Sequence, residues 1–274
     1  MLARLGALVV VAITALTACQ AHGAREPRLS EVCAAGLMRI EGGVAACGRL
    51  EPAFVERIQK ALKPGDSRVR LTSNGGEGPA AMALADLIER RRLRLEIAGI
   101  CVSACAHFVY APTPNAVVLQ GALVGFHHTA SYIDALKFAD ETPESAAEGR
   151  ALSAKEAAFY RRRGLPTSFL YQPGLLVTAC MSPDRRSTLN RMTFITPRRD
   201  KMELIMGRPV VGFWPKDSKE LGEAYEAVAA ELGVPRGETV WSVGGLTPAP
   251  QAAIDAVISR IPTCTPAQMA EAGR

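Results

Sequence analysis

The feature that most constrains the fold is a regular alternation of short apolar strands and amphipathic helices up to residue 128. Helices are predicted from apolar side chains at helical spacing, such as Ala80, Leu84, Leu87 and Ile88, and strands from compact β-rich runs. The predicted order is a strand pair at 36–50, a helix at 52–62, a strand at 68–73, a helix at 79–92, a strand at 93–100, a helix at 102–111 and an apolar β-rich run at 116–127, with helices to follow within 133–163. Strands and helices in alternation bury one another in layers, so the chain is predicted to adopt an α/β fold.

Two strand-to-helix turns contain residues that are typical of ligand-binding or catalytic sites. In "LTSNGGEG" (71–78) two adjacent glycines let the backbone approach a ligand closely, although a plain tight turn is the alternative. The pattern of a phosphate-binding loop is absent. In "AGICVSACAHFVYAP" (98–112) Ser103 stands alone among small residues at the start of a predicted helix. It is either an N-cap or a nucleophile whose oxyanion neighbouring N–H groups would hold.

A serine nucleophile needs a base, and two histidines end the strand "ALVGFHH". We predict His127 as the base, with a strand-end histidine that only hydrogen-bonds a carbonyl as the alternative. His128 is expected to point to the opposite face, because neighbouring residues of a strand alternate. His107, in the helix that follows Ser103, could be a buried core histidine.

The order strand–"SNGG"–helix–strand–"CVSACA"–helix–strand–"GFH" resembles the Clp protease proteolytic subunit and its relatives in the ClpP/crotonase superfamily. It resembles more closely the exported bacterial proteins described as predicted periplasmic members of that group. The resemblance covers about residues 36–196, where "STLNRMTFIT" (187–196) is similar to the closing segment in which a helix runs into a final strand. It implies a ClpP/crotonase-like layered β-sheet with helices, Ser103 as nucleophile, His127 as base, and the N–H groups of Gly76 and Ala104 as the oxyanion hole.

The third member of a triad is less clearly marked. Asp184, in "CMSPDRR", lies near the position that the resemblance implies, and Asp134 and Asp140 are nearer to His127 in sequence. The Ser–Lys dyad of the signal peptide peptidase relatives would instead use Lys155. Asn74 also stands where the Clp protease subunit has proline before the glycines.

The N-terminus predicts export. A basic "MLAR" and an apolar run of twelve residues precede "LTAC", and the run is too short to span a bilayer as a mature helix. A small residue before Cys19 resembles the lipobox of bacterial lipoproteins, which implies cleavage before Cys19 and its lipidation. By resemblance to other lipoproteins, Gln20 at the next position implies sorting to the outer membrane. The alternative is an ordinary signal peptide with an incidental cysteine.

Six further cysteines in an exported chain predict disulfides, at least two of the six being bonded. Cys33 and Cys47 could close a short local loop. Cys101 and Cys105 are expected to have distant partners, because a mutual bond one helical turn apart would strain the geometry. No cysteine lies in a CxxC and the histidines lack ligand spacing, so neither a metal nor another cofactor is predicted.

The chain divides into a signal peptide (1–18), a tether (19–30), the layered domain (31–204) and a small C-terminal appendage (205–274) of unknown role. In the last of these, "RPVVGFWP" predicts a strand, and two helices follow, the first ending at Gly233. The formal net charge of +5 is mild and the arginine runs are not interleaved with aromatic residues, so no nucleic-acid partner is expected.

Together with these resemblances, the sequence predicts a periplasmic, lipid-anchored serine hydrolase. The resemblance to the Clp protease subunit implies cleavage of peptide bonds in a peptide or protein substrate, and a homo-oligomer is a further expectation. One alternative is a non-catalytic envelope lipoprotein that uses the fold for binding or assembly, since a fold does not settle function. Another is acyl-thioester chemistry of the crotonase kind, which would not need Ser103 or His127.

Overall fold

The computed structural model describes residues 25–233, 241–244, 246 and 250–272. The predicted signal peptide and lipidation site, Cys19, lie outside the described residues, as does the first part of the predicted tether.

The fold is mixed α/β, and its largest sheet is seven-stranded and mostly parallel. Its strand order is β1-β2-β3-β4-β5-β10, and β6 pairs with β4 beyond the end of β5. Only β1 runs antiparallel to its neighbour, β2. The described strands are β1 (Leu37–Ile40), β2 (Gly43–Cys47), β3 (Arg68–Ser73), β4 (Arg94–Val102), β5 (Ala116–Val118), β6 (Leu123–Gly125), β7 (Thr178–Met181), β8 (Thr188–Asn190), β9 (Phe194–Pro197), β10 (Val211–Gly212) and β11 (Trp241–Gly244). The predicted α/β fold class is confirmed.

Helices cover the sheet and connect its strands. The described α-helices are α1 (Leu29–Ala35), α2 (Pro52–Ala61), α3 (Gly78–Arg90), α4 (Ala130–Leu136), α5 (Pro143–Arg162), α6 (Gln172–Val177), α7 (Arg199–Met206), α8 (Ser218–Leu232), α9 (Gln251–Ile258) and α10 (Pro266–Ala272). A short π-helix spans Cys105–Tyr110 and a 3₁₀-helix spans Thr167–Leu170.

Helix α3 illustrates why these elements form where they do. Pro79 lies in its first turn, where a missing N–H costs nothing, and the helix ends at Arg90. Leu84, Leu87 and Ile88 are buried in the main core, as their spacing predicts. Full burial of such a side chain contributes about 1.5–3 kcal/mol, so this face fixes the helix on the sheet.

All six cysteines after Cys19 are disulfide-bonded in the structure. The local pair Cys33–Cys47 forms as the sequence suggests, and Cys180 pairs with Cys264. The expectation of distant partners for Cys101 and Cys105 is wrong, because these two cysteines bond to each other across a Cα separation of 5.2 Å. The chain turns at residue 103 instead of continuing a helix through it, so the two side chains face each other.

Two other sequence expectations differ from the structure. The segment 187–196 contains no helix before its final strand, because Thr188–Asn190 pairs with β7 as β8 and β9 follows directly. The strand expected in "RPVVGFWP" is only Val211–Gly212, which pairs with β5 at the edge of the main sheet.

Described residues beyond 204 pack against the layered core. Trp214 is buried, donates its indole N–H to the carbonyl oxygen of Pro197 (2.7 Å) and stacks on Tyr110. Helix α8, which ends at Gly233 as predicted, packs against α1. Strand β11 pairs in parallel with β9. Among the helices of the described residues, none has the length and apolar character needed to cross a bilayer.

Candidate active site

Ser103 occupies the turn between β4 and the π-helix. Its φ of +59° lies in the left-handed region, which costs a non-glycine residue about 1–2 kcal/mol. Its N–H donates to the carbonyl oxygen of Gly125 and its carbonyl oxygen accepts from the N–H of His107, both at 3.0 Å. The Cys101–Cys105 bond spans the turn as well. The N-cap position of the π-helix is Ala104, and no side chain caps this helix. Ser103 therefore does not serve as its N-cap.

The two glycines bring a second backbone segment against this turn. Gly75 has a φ of +88°, and a Cβ at Gly75 would lie 2.6 Å from the Cβ of Ser103. The glycine turn is fixed by Leu50, whose N–H donates to the carbonyl oxygen of Gly75 (2.7 Å) and whose carbonyl oxygen accepts from the N–H of Glu77 (2.8 Å). A glycine is therefore required at position 75 for close approach to Ser103, which a plain tight turn would not explain.

The structure brings His127 to Ser103. The Nε2 atom of His127 lies 2.6 Å from the Oγ atom of Ser103, at hydrogen-bonding distance. Two contacts position the histidine: β6 pairs with β4, and Phe126 forms an antiparallel bridge with Ile195 of β9. The ring of Phe194 lies 5.0 Å from the imidazole of His127.

A cavity of about 400 Å³ opens beside Ser103, and Gly76 and Ala104 both line it. Among the backbone hydrogen bonds of the described residues, none uses the N–H of either residue as a donor. The two residues that sequence analysis assigns to an oxyanion hole thus line the same cavity as Ser103.

Burial lowers the pKa of His127 to about 4, and the neighbouring His128 lowers it further in the same direction. At pH 7 the imidazole of His127 is therefore neutral, so it has a nitrogen lone pair with which to accept a proton. Such a neutral imidazole at hydrogen-bonding distance from a hydroxyl can act as a general base.

The predicted orienting carboxylate does not contact this pair. Asp184 is exposed and forms its hydrogen bonds within its own turn, to the hydroxyl of Ser182 (2.6 Å) and the N–H of Arg186 (3.2 Å), which hold its pKa below the usual range. Within the described residues, the only side-chain hydrogen bond of the His127 ring is to Ser103. Asp140 and Lys155 are exposed, and Asp134 lies against Gly149 of α5.

The expectation that His128 points away from His127 is wrong. The two rings stack with centroids 5.6 Å apart, and His128 lines the cavity beside Ser103. Strand β6 ends at Gly125, so the alternation of a strand no longer applies at 127 and 128. The ring of His128 also stacks on Tyr132, and its Nε2 lies 3.2 Å from the Oγ1 of Thr178.

Two buried polar residues hold the backbone that follows the base. The Nε2–H of His107 donates to the carbonyl oxygen of His127 (3.1 Å), and the Nδ1 of His107 lies 3.2 Å from the hydroxyl of Tyr160. Glu156 accepts hydrogen bonds from the N–H groups of Ala130 (3.1 Å) and Ser131 (2.7 Å). His107 and Glu156 are only 1% and 2% exposed.

Sequence reasoning missed both roles. The burial of His107 agrees with a core histidine, but nothing in the sequence indicates its hydrogen bond to the backbone of the base. Glu156 was not singled out. Its signal is the spacing of Glu156, Phe159 and Tyr160 on one helical face, where a carboxylate shares the buried stripe of α5. Across the part of the chain that the structure describes, no group of three or more His, Cys, Asp and Glu residues could hold a metal ion.

No family model and no curated protein matches this chain. Among solved structures, a ClpP1 mutant from Listeria monocytogenes is similar, with 16% sequence identity and a TM-score of 0.35. The match covers 46% of this chain and 74% of that one.

Proposed function

We propose that this protein is a serine hydrolase in which Ser103 is the nucleophile and His127 the general base. The observation that carries the proposal is the 2.6 Å contact between the Oγ of Ser103 and the Nε2 of His127, formed by a serine held at positive φ. Strained backbone of this kind costs free energy and persists where the surrounding structure fixes it, which is common at catalytic residues.

The reaction follows from these positions. With its proton on Nδ1, His127 accepts the Ser103 proton at Nε2 as Oγ attacks a carbonyl carbon. The carbonyl oxygen becomes an oxyanion, and the N–H groups of Gly76 and Ala104 stabilise it. His127 then gives the proton to the leaving group, and an acyl-enzyme forms. Water, deprotonated by His127, hydrolyses this ester and restores Ser103.

Among the described residues no carboxylate contacts the ring of His127, and its backbone carbonyl accepts a hydrogen bond from His107. Losing the carboxylate of a triad costs about 10⁴ in rate in proteases that normally have one, yet leaves measurable catalysis. We therefore expect a slow enzyme or one specialised for reactive substrates. We propose peptide bonds as the substrate class.

The three disulfides indicate an oxidising, non-cytoplasmic compartment. We propose that the mature chain begins at Cys19 and is held by lipid at the cell envelope, with the outer membrane favoured by Gln20. A Cys19→Ala variant should lose partitioning into detergent, because its acyl chains would be absent. Partitioning equal to that of the unsubstituted protein would contradict the anchor.

Activity-based labelling tests the proposed chemistry. A fluorophosphonate probe should modify the purified protein at Ser103, identified by mass spectrometry of the labelled peptide. Ser103→Ala should abolish labelling, and His127→Ala should slow it by about 10²–10⁴-fold, because the base is lost. His128→Ala should slow it less, since His128 has no contact with the Ser103 hydroxyl.

Ser218→Ala is the matched control, because Ser218 is exposed and lies at the start of α8. It should label like the unsubstituted protein. Labelling at another serine, or undiminished labelling of His127→Ala, would overturn the assignment.

The second candidate function is a non-catalytic binding module, favoured by the lack of a carboxylate contact to His127 among the described residues. It predicts a folded protein that takes no probe. It also predicts that the Ser103→Ala variant fully complements a strain that lacks the gene. If the protein is an enzyme, this variant should fail to complement the strain.

A further inference from the structure

The cavity beside Ser103 combines apolar walls with acidic side chains. Phe108, Leu152 and Pro79 contribute apolar surface, and Glu77 and Glu156 contribute carboxylates. No lysine or arginine is among the described residues that line it. The histidines on its wall, His107 and His128, have pKa values lowered by burial and are neutral at pH 7. An acidic cavity thus lies within a chain whose formal net charge is +5.

Glu156 is a buried carboxylate without a cation. It forms no ion pair with any lysine or arginine of the described residues, although buried carboxylates are usually paired. All its hydrogen-bond partners are donors: the N–H of Ala130, and the N–H and hydroxyl of Ser131. Burial raises the pKa of the Glu156 carboxyl above its usual value, and these hydrogen-bond donors lower it part of the way back. A cation bound beside the carboxyl would favour its ionised form.

One oxygen of Glu156 has capacity left for a ligand. Oε2 accepts both bonds from Ser131, whereas Oε1 accepts only the 3.1 Å bond from Ala130. A Cβ built on Gly78, which also lines the cavity, would lie 3.8 Å from Oε1 and 3.6 Å from the ring of Phe108. Oε1 and the ring edge of Phe108 therefore both lie close to Gly78 on the cavity wall.

We propose that this cavity binds the cationic side chain of a lysine or arginine residue whose carbonyl carbon Ser103 attacks, which rests on the proposed function. Lysine and arginine have an apolar stem and a charged head, and they bury the stem along apolar surface. Phe108, Leu152 and Pro79 contact the stem, while Glu156 at the wall and Glu77 at the exposed side attract the head. The volume of about 400 Å³ suits one such side chain.

Two active-site probes that differ only in the charge test the proposal. A diphenyl phosphonate built on lysine is compared with one built on norleucine, whose stem is the same and which lacks the ammonium group. Their second-order labelling rates at Ser103 are measured at pH 7. The lysine probe should react about tenfold faster, as expected for a hydrogen-bonded charge pair.

Substitution of the carboxylates should remove this preference without removing the nucleophile. Glu156→Gln and Glu77→Gln should each lower the lysine-to-norleucine ratio. Both rates of a ratio are measured on the same variant, so a change in the reactivity of Ser103 itself cancels. Glu144→Gln, at the exposed start of α5, is the control and should keep the ratio. Since Glu77 is exposed, its variant tests the proposal even where Glu156→Gln does not fold.

The outcomes separate this inference from the proposed function. Equal rates for the two probes, with Ser103 labelled by the fluorophosphonate, overturn the cationic specificity and leave the hydrolase. A preference that survives both substitutions also overturns it and leaves Glu156 as a cap of α4. Failure of every probe to label Ser103 overturns the hydrolase and the specificity together.

Discussion

Ser103 is held at positive φ by contacts from three sides: the glycine turn, the carbonyl oxygen of Gly125 and the disulfide that spans it. At the scale of single residues, the site depends most on Gly75, because its missing Cβ leaves room for the Cβ of Ser103. The sequence indicated both residues through their positions after strands. It could not indicate that they touch, since their contact depends on how β3 and β4 align.

Gly75→Ala should therefore disable the site and destabilise the protein. Positive φ costs alanine about 1–2 kcal/mol, and the clash with Ser103 adds about 1–3 kcal/mol. Urea unfolding measures the loss of stability, and fluorophosphonate labelling measures the loss of reactivity.

Gly65→Ala is the matched control. Gly65 has a similar φ of +86°, with nothing within 4 Å of the position of its Cβ. Gly65→Ala should lower the free energy of unfolding only by the cost of the positive φ, and it should leave labelling of Ser103 intact. Equal losses in the two variants would mean that the approach of Gly75 to Ser103 does not matter.

At the scale of elements, the turn between β4 and the π-helix is the feature that patterns alone could not foresee. "VSACAHFVYA" was predicted as a helix, and helical residues do follow Ser103. Cys101 belongs to β4, pairing with Ser73 and Val124, while Cys105 starts the π-helix. The change of chain direction between them makes a bond feasible that would be strained within one continuous helix.

The disulfide at this turn and the disulfide near the C-terminus should differ in how much each contributes to stability and to the reactivity of Ser103. In the chain-entropy account, Cys180–Cys264 closes a long loop worth about 4–5 kcal/mol, and Cys101–Cys105 closes a short one worth about 2 kcal/mol. Replacing Cys180 and Cys264 by alanine should cost more stability, whereas replacing Cys101 and Cys105 should cost more labelling of Ser103.

Urea unfolding and fluorophosphonate labelling of the two double-alanine variants provide the measurements. If the Cys101 and Cys105 variant keeps full labelling, the disulfide does not hold the turn in its reactive form. A larger stability loss in that variant than in the other would contradict the entropic account.

At the scale of the whole molecule, three neutral histidines are packed together around the site. Burial is the main cause that lowers the pKa to about 4 for His127 and His128 and to about 3 for His107. Histidine in the unfolded chain titrates near pH 6.5. Below that pH the unfolded chain binds more protons than the folded one, so acid favours unfolding.

The free energy of unfolding should therefore fall as pH is lowered from about 6.5 through 4. Urea unfolding at pH 7, 5.5 and 4.5 measures it. Asp66, whose pKa a hydrogen bond from Arg39 lowers to about 2, contributes only in a more acidic window, below about pH 4. His128→Gln should make the pH dependence of the unfolding free energy shallower, because the variant takes up one proton fewer on unfolding. A stability that stays constant between pH 7 and 4.5 would contradict the burial of neutral histidines.

Much of the fold could be predicted from the sequence, because strands and helices are encoded by periodicities that neighbouring residues set among themselves. This holds for α3 and for the strands on either side of it. Prediction failed where the pattern was short. Residues 187–196 form two strands, because β8 pairs with β7 and β9 pairs with β11, and local spacing does not reveal such pairing.

The sequence by itself determined the α/β class, the turns that bear Gly76 and Ser103, the histidines at the end of β6 and the number of cysteines available to pair. Only the tertiary structure decided which of these meet. It brought His127 to Ser103, left Asp184 in its own turn, stacked His128 on His127, paired Cys101 with Cys105 and buried Glu156 at the cavity wall. The physical reason is range: periodicity acts between residues a few positions apart, whereas these contacts join segments that meet only after the sheet and helices have packed.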